Sequence, residues 1–102
     1  MPISPQHYWS EMTSKQFTQL DIERIIAVLP VGAIEQHGPH LPVSVDSCII
    51  NGIISRAVEL MPDDLPATIL PTLTIGKSNE HDQYPGTLTF SAETLIRMWM
   101  DV

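Results

Sequence analysis

The sequence contains one cysteine, and its lysine and arginine residues together number only five. A disulfide within the chain is therefore excluded, and a reducing compartment is the simple expectation. Cys48 lies in an apolar run, which predicts a small residue of the core. The five basic residues are scattered and form no stripe that would meet phosphates, so nucleic acid is not expected as a partner.

Long apolar runs are also lacking, because none approaches the ~20 residues that cross a membrane. The first residues have neither the basic nor the apolar region of a signal peptide. We therefore expect a cytoplasmic protein without a membrane partner. The net charge of −7 suits a site that attracts cations. The 102 residues, 43% of them hydrophobic, are enough for one small globular domain.

Apolar runs and helical periodicity alternate along the chain. Residues 25–31 and 67–75 are rich in β-branched residues and do not alternate with polar ones, which predicts buried parallel strands. Residues 46–61 repeat apolar residues on one wide helical face, and a further helix is predicted after Ser91. The order strand, helix, strand, helix predicts an α/β fold with a parallel sheet.

Local signals refine the helices. Thr13 or Ser14 is predicted to cap a short helix within residues 12–20, and Asp46 or Ser47 to cap the long helix. Residues 98–100, Met-Trp-Met, are interpreted as core or subunit-interface residues.

Residues 32–46 join the first strand to the long helix and carry the strongest chemical signal. Glu35 and His37 are two positions apart, so an extended backbone directs both side chains to one side. A carboxylate and an imidazole together suit zinc or manganese, and the loop can fold Asp46 onto the same ion. The spacing equally allows a solvated pair at Glu35 and His37 and an ordinary helix cap at Asp46. His40 either supports the ligands from behind or is a surface histidine.

The stretch Leu-Pro-Val-Gly-Ala-Ile-Glu-Gln-His-Gly-Pro-His-Leu-Pro, residues 29–42, resembles the signature of the creatininase family. The likeness continues through Asp46 and returns in residues 76–78 and 81–89, which are similar to a second block of that family. Residues 9–13 resemble the opening of the family. The resemblance therefore covers nearly the whole chain.

This resemblance implies a three-layer α/β fold with a parallel sheet, and a metal-dependent amidohydrolase that acts on a cyclic amide or formamide. Two divalent ions, zinc or manganese, would activate water. Glu35 would bind one ion, His37 the other, and Asp46 would bridge both. Ser78 and His81 would contact the small-molecule amide substrate, with the turn at residues 84–87 lining the same cleft. A homo-oligomer is also implied.

The family pattern includes a later histidine-containing block that supplies further metal ligands, and these 102 residues lack it. We therefore expect residues 1–102 to be the N-terminal part of one creatininase-like domain, truncated before that block. The alternatives to an active hydrolase are an inactive fragment and a non-catalytic module for metal binding or oligomerisation.

Overall fold

The structure is a computed structural model that describes residues 3–102. Its helices are α1 (Ser14–Phe17), α2 (Val45–Leu60) and α3 (Ala92–Asp101), its strands are β1 (Ile26–Val28) and β2 (Ala67–Ile69), and single 3-10 turns occupy Trp9–Glu11, Ile22–Arg24 and Asn79–His81. The predicted order of strand, helix, strand and helix is confirmed. Contacts divide the chain into two compact units, Met1–Pro30 with Ile53–Pro71 and Val31–Gly52 with Thr72–Val102.

The first unit contains the strand pair. β1 and β2 run parallel, with Ile26 opposite Ala67 and Val28 opposite Ile69, as the pattern predicts. On the other side of β2, the Ile69 amide donates to the His7 carbonyl at 2.7 Å. All three β2 residues are buried, which is typical of a strand with neighbours on both sides.

Both strands are shorter than predicted, and β1 is not buried. Ile26 is 51% exposed and Ala27 is also exposed. Within residues 3–102, β1 has a paired strand on one side only, so its other edge is unpaired. An apolar run indicates a strand but cannot indicate what covers each face of it.

The second unit holds the loops that follow the strands. Val31 forms a parallel bridge with Leu73, and Ile34 an antiparallel bridge with Leu88. The second bridge falls in residues 81–89, which resemble the second block of the family. Leu95 of α3 is the buried apolar residue of this unit.

Helix starts follow the predicted caps in two of three cases. The Thr13 hydroxyl accepts from the Gln16 amide, whose side chain accepts in return from the Thr13 amide. The Ser91 hydroxyl accepts from the Thr94 amide. The long helix instead begins at Val45, so Asp46 and Ser47 lie inside its first turn and are not its caps.

Several residues predicted to be buried are exposed. Cys48 is an exposed free thiol on α2. On the same helix Ile49 and Ile53 are 55% and 57% exposed, so only part of the apolar face is covered. Trp99 and Met100 are 46% and 79% exposed, which excludes a core position for them in this structure. None of the helices in residues 3–102 combines the length and apolarity needed to cross a membrane.

Candidate metal centre

Glu35, His37 and Asp46 come together in the second unit. Each offers one ligand atom, and these atoms all lie within 4.8 Å of one another. The Nε2 atom of His37 is 3.3 Å from the Oδ1 atom of Asp46. All three residues are half-buried. One imidazole with two carboxylates is a donor set that suits zinc or manganese, so the residues present fit such an ion.

Backbone and hydroxyl hydrogen bonds position this triad. The Glu35 amide donates to the Val43 carbonyl at 3.2 Å and closes the loop between the ligands. Ser47 is buried, and its hydroxyl lies 3.3 Å from the Ala33 carbonyl and 3.2 Å from the Thr74 carbonyl. Because Ser47 follows Asp46 directly, these bonds hold the first turn of α2 against the loop that carries Glu35.

Two glycines permit this close approach. A Cβ atom on Gly32 would overlap the Ser47 hydroxyl and stand 3.0 Å from the Ser47 Cα. A Cβ atom on Gly76 would stand 2.8 Å from the Gly32 carbonyl oxygen. Glycine is therefore needed at both positions for close packing of the backbone.

The ring of His37 is oriented by the chain itself. Its Nδ1 atom lies 2.9 Å from the Glu35 carbonyl oxygen, which can only accept, so Nδ1 carries a proton. In the neutral ring, Nε2 then presents its lone pair toward Asp46, which is the arrangement a metal ligand requires. When no cation is bound, protonation of Nε2 removes the repulsion between this lone pair and the Asp46 carboxylate.

The pKa of His37 is accordingly raised above 6.5. The hydrogen bond to the Glu35 carbonyl is the largest cause, the charge and hydrogen bond of Asp46 act in the same direction, and partial desolvation opposes them. A bound cation would occupy the place of the Nε2 proton, so metal and proton compete at this atom.

We expect a nuclear magnetic resonance titration of the metal-free protein to place the His37 pKa above 6.5, and Asp46→Asn to lower it. Because the pKa of His37 is higher in the folded protein than in the unfolded chain, protonated His37 contributes its full stabilisation at a pH below the unfolded pKa. That stability is lost as the pH rises through the folded value. A His37 that titrates at or below 6.5 in the wild-type protein would contradict this expectation.

A second cluster shares Glu35. The ligand atoms of Glu35, Glu80 and His81 also lie within 4.8 Å of one another. The Nε2 atom of His81 is 3.9 Å from Oε2 of Glu35, and its Nδ1 atom is 2.9 Å from the Gln36 side-chain nitrogen. His81 thus lies beside the triad, next to Glu35.

The second block of the sequence is joined to the first by hydrogen bonds. The Gln36 amide donates to the Thr87 hydroxyl at 3.1 Å, and the Leu88 amide donates to the Ile34 carbonyl at 2.9 Å. Gly86 has a φ of +88°, which glycine adopts without strain and which lets the turn before Thr87 close. The turn at residues 84–87 is therefore adjacent to the ligand loop.

Ser78 and His40 do not join the triad directly. Ser78 has no solvent exposure, and its hydroxyl has no hydrogen-bond partner among the described residues. His40 is exposed, and its ring is 4.0 Å from the position of a Cβ atom on Gly38. Sequence reasoning gave Gln36 no role, although it stands inside the motif between the two predicted ligands. It considered Ser47 only as a possible helix cap and Thr87 only as part of a turn.

Comparison with known proteins decides the family. The creatininase model, described as creatinine amidohydrolase, matches residues 10–102. The chain belongs to the creatininase family.

Among curated relatives within or near this family, the mycofactocin precursor peptide peptidase of Mycolicibacterium smegmatis is 38% identical over 72 residues, covering 69% of this chain and 29% of the relative. Creatinine amidohydrolase of Pseudomonas putida is 28% identical over 106 residues, covering 98% of this chain and 39% of the relative. The chain thus spans well under half the length of these relatives.

Solved creatininases share the fold. A manganese form superimposes with a TM-score of 0.77 at 28% identity, covering 95% of this chain and 38% of that one. A mutant described as the zinc–zinc type gives 0.76 at 28% identity, covering 96% and 39%. The predicted α/β creatininase fold is confirmed for the part of the fold that this chain represents.

Proposed function

We propose that this chain supplies metal ligands to an amidohydrolase that hydrolyses an amide C–N bond at two divalent ions. The observation that carries the proposal is the triad itself, in which one ligand atom each of Glu35, His37 and Asp46 lies within 4.8 Å of the others. The solved family members in manganese and zinc forms support these two metals as the candidates. It stays a prediction that residues 1–102 are part of one creatininase-like domain. Assembly into a cytoplasmic homo-oligomer also stays a prediction.

Divalent ions at such a centre lower the pKa of bound water and polarise the amide carbonyl. The residues of this chain bind and orient. The resemblance to the creatininase family implies that Asp46 would be shared by both ions. Glu35 and His37 would each hold one ion. Ser78 and His81 remain our candidates for lining the substrate cleft, although Ser78 has no solvent exposure in this structure, and His40 remains our candidate for support of the ligands.

The substrate class proposed is a small amide, either cyclic or a formamide. The similarity to creatinine amidohydrolase supports a cyclic amide. The higher identity to a precursor peptide peptidase supports a peptide bond as the second candidate. Both require the same chemistry, attack of water on an amide carbonyl, and differ in the size of the group that the cleft accepts.

The proposal is tested by measuring bound metal and turnover on the same sample. We expect elemental mass spectrometry after dialysis to find zinc or manganese on the protein, and a chelator to remove both metal and activity. Creatinine, a formamide and a short peptide are then offered as substrates. The readout is the ring-opened carboxylic acid for creatinine, and the released amine for the formamide and the peptide.

Each outcome decides between the candidate functions. Metal-dependent turnover of any one substrate supports the amidohydrolase and names its class. Retained metal with no turnover of the three substrates favours a non-catalytic metal-binding module. No retained metal in the wild-type protein contradicts the proposal and favours an inactive fragment.

A further inference from the structure

Two histidines flank the Glu35 carboxylate, and hydrogen bonds give their rings opposite protonation patterns. His37 donates from Nδ1 to the Glu35 carbonyl, which leaves the Nε2 lone pair facing the centre. The pattern at His81 follows from its contact with Gln36, and that contact depends on which way the Gln36 side-chain amide points.

The orientation of this amide is fixed by a second partner. The backbone amide of Gly38 can only donate, and it lies 3.0 Å from Oε1 of Gln36. The oxygen of the side chain is therefore directed to Gly38, and the nitrogen is directed to Nδ1 of His81, 2.9 Å away. A side-chain amide nitrogen can only donate, so Nδ1 of His81 must accept.

A neutral imidazole that accepts at Nδ1 carries its proton on Nε2. This N–H faces Oε2 of Glu35, 3.9 Å away. This separation exceeds the usual hydrogen-bond distance by less than ~1 Å. A small rotation of the Glu35 carboxylate would bring Oε2 within hydrogen-bond distance of Nε2. An Nε2 atom that carries a proton has no lone pair for a metal ion.

We propose that Gln36 fixes His81 as a hydrogen-bond donor to Glu35, so that His81 is a positioning residue for this ligand and not a ligand itself. The inference rests on the proposed metal function of the triad. It also separates the two clusters that share Glu35, because Glu80 and His81 then form no metal position of their own. Ligating carboxylates depend on such donors for their orientation.

His81 packs in a way that keeps its ring in place. Its backbone amide donates to the Ser78 carbonyl at 2.9 Å, and its carbonyl accepts from the Tyr84 amide at 3.0 Å. The rings of His81 and Tyr84 are tilted by 51° with centroids 6.3 Å apart. Gln36 and His81 are 45 positions apart in the sequence, so this pairing is a property of the folded second unit.

The first experiment measures the two tautomers directly in the metal-free protein. With 15N-labelled histidine, at a pH where the imidazoles are neutral, we expect His81 to be protonated at Nε2 and His37 at Nδ1. Gln36→Glu replaces the donor by an acceptor of the same shape, so His81 should change to the Nδ1-protonated form while His37 keeps its own. A wild-type His81 protonated at Nδ1, or a His81 unaffected by Gln36→Glu, overturns the inference.

The second experiment measures the affinity for zinc and for manganese. His81→Leu removes the donor and should weaken binding roughly 10- to 100-fold, as loss of a partner behind a ligand does. His81→Gln places an amide N–H near the position of Nε2 and should restore most of the affinity. Glu80→Gln should change the metal affinity by no more than about twofold relative to the wild type. A large loss is expected only for residues that support a metal ligand.

A loss of affinity in Glu80→Gln as large as that in His81→Leu would show that the second cluster binds metal itself, and would overturn the inference. The two experiments also separate this inference from the proposed function. If the wild-type protein binds no metal, the proposed function fails while the tautomers can still be observed. If it binds metal but His81 is protonated at Nδ1, only the present inference fails.

Discussion

Asp46→Asn should lose at least ~100-fold in affinity for zinc or manganese, since loss of a partner behind a ligand already costs 10- to 100-fold. Asparagine keeps the shape of aspartate but removes the charge and one acceptor oxygen. In this structure Asp46 lies 3.3 Å from His37 and shares the centre with Glu35, so its loss leaves Glu35 as the one carboxylate of the triad. Turnover should be lost together with the metal.

The measurement is a calorimetric titration with each metal, and the control is Glu93→Gln. Glu93 lies in the first turn of α3, as Asp46 lies in the first turn of α2, so both variants lose a carboxylate that favours the helix dipole. That loss is worth ~0.3–1 kcal/mol of stability in each variant. Glu93→Gln should therefore bind metal like the wild type. Equal affinities of Asp46→Asn and wild type would remove Asp46 from the centre.

Gly32→Ala should lower the free energy of unfolding by about 1–3 kcal/mol, as overpacking of a well-packed site does. The added methyl group would overlap the Ser47 hydroxyl and approach the Ser47 Cα to 3.0 Å. Because Ser47 is buried and part of a helix, it has little room to move. The neighbouring Asp46 should be displaced too, so metal affinity should fall along with stability.

Urea unfolding of Gly32→Ala and of Gly52→Ala checks this expectation. Gly52 lies within α2 and has nothing within 4 Å of the position of a Cβ atom. Alanine there should stabilise the protein by ~0.5–1 kcal/mol, because it favours the helix over glycine. Adding Ser47→Ala to Gly32→Ala should recover part of the lost stability. If the two glycine variants unfold alike, the close contact at Gly32 is not a constraint.

The sequence predicts the triad because its spacing and position are local features. Glu35 and His37 are neighbours on an extended segment, and Asp46 lies where a loop meets a helix, so a short loop suffices to bring them together. The parallel pairing of β1 and β2 follows in the same way from two apolar runs separated by a helix. The prediction of the triad depends on residues close along the chain, and that of the strand pairing on the order of the elements.

Features that depend on distant partners could not be predicted. The tautomer of His81 is fixed by Gln36 and Gly38, and no periodic pattern links residues so far apart. Burial was also misjudged. An apolar run around Cys48 and Ile49 marks a helix, yet both residues are exposed, because the pattern cannot show which flank of the helix is covered.

The closeness of the three ligands along the chain has a consequence for how the protein folds. Glu35 and Asp46 are eleven positions apart, whereas the contact between Gln36 and His81 spans 45. The entropy lost on closing a loop rises with its length, by ~0.6 kcal/mol per doubling, so the shorter loop closes at lower cost by about 1.2 kcal/mol. The contacts within the ligand loop are therefore the less costly of the two to form, and an ion bound there would add its binding free energy to the stability of the fold.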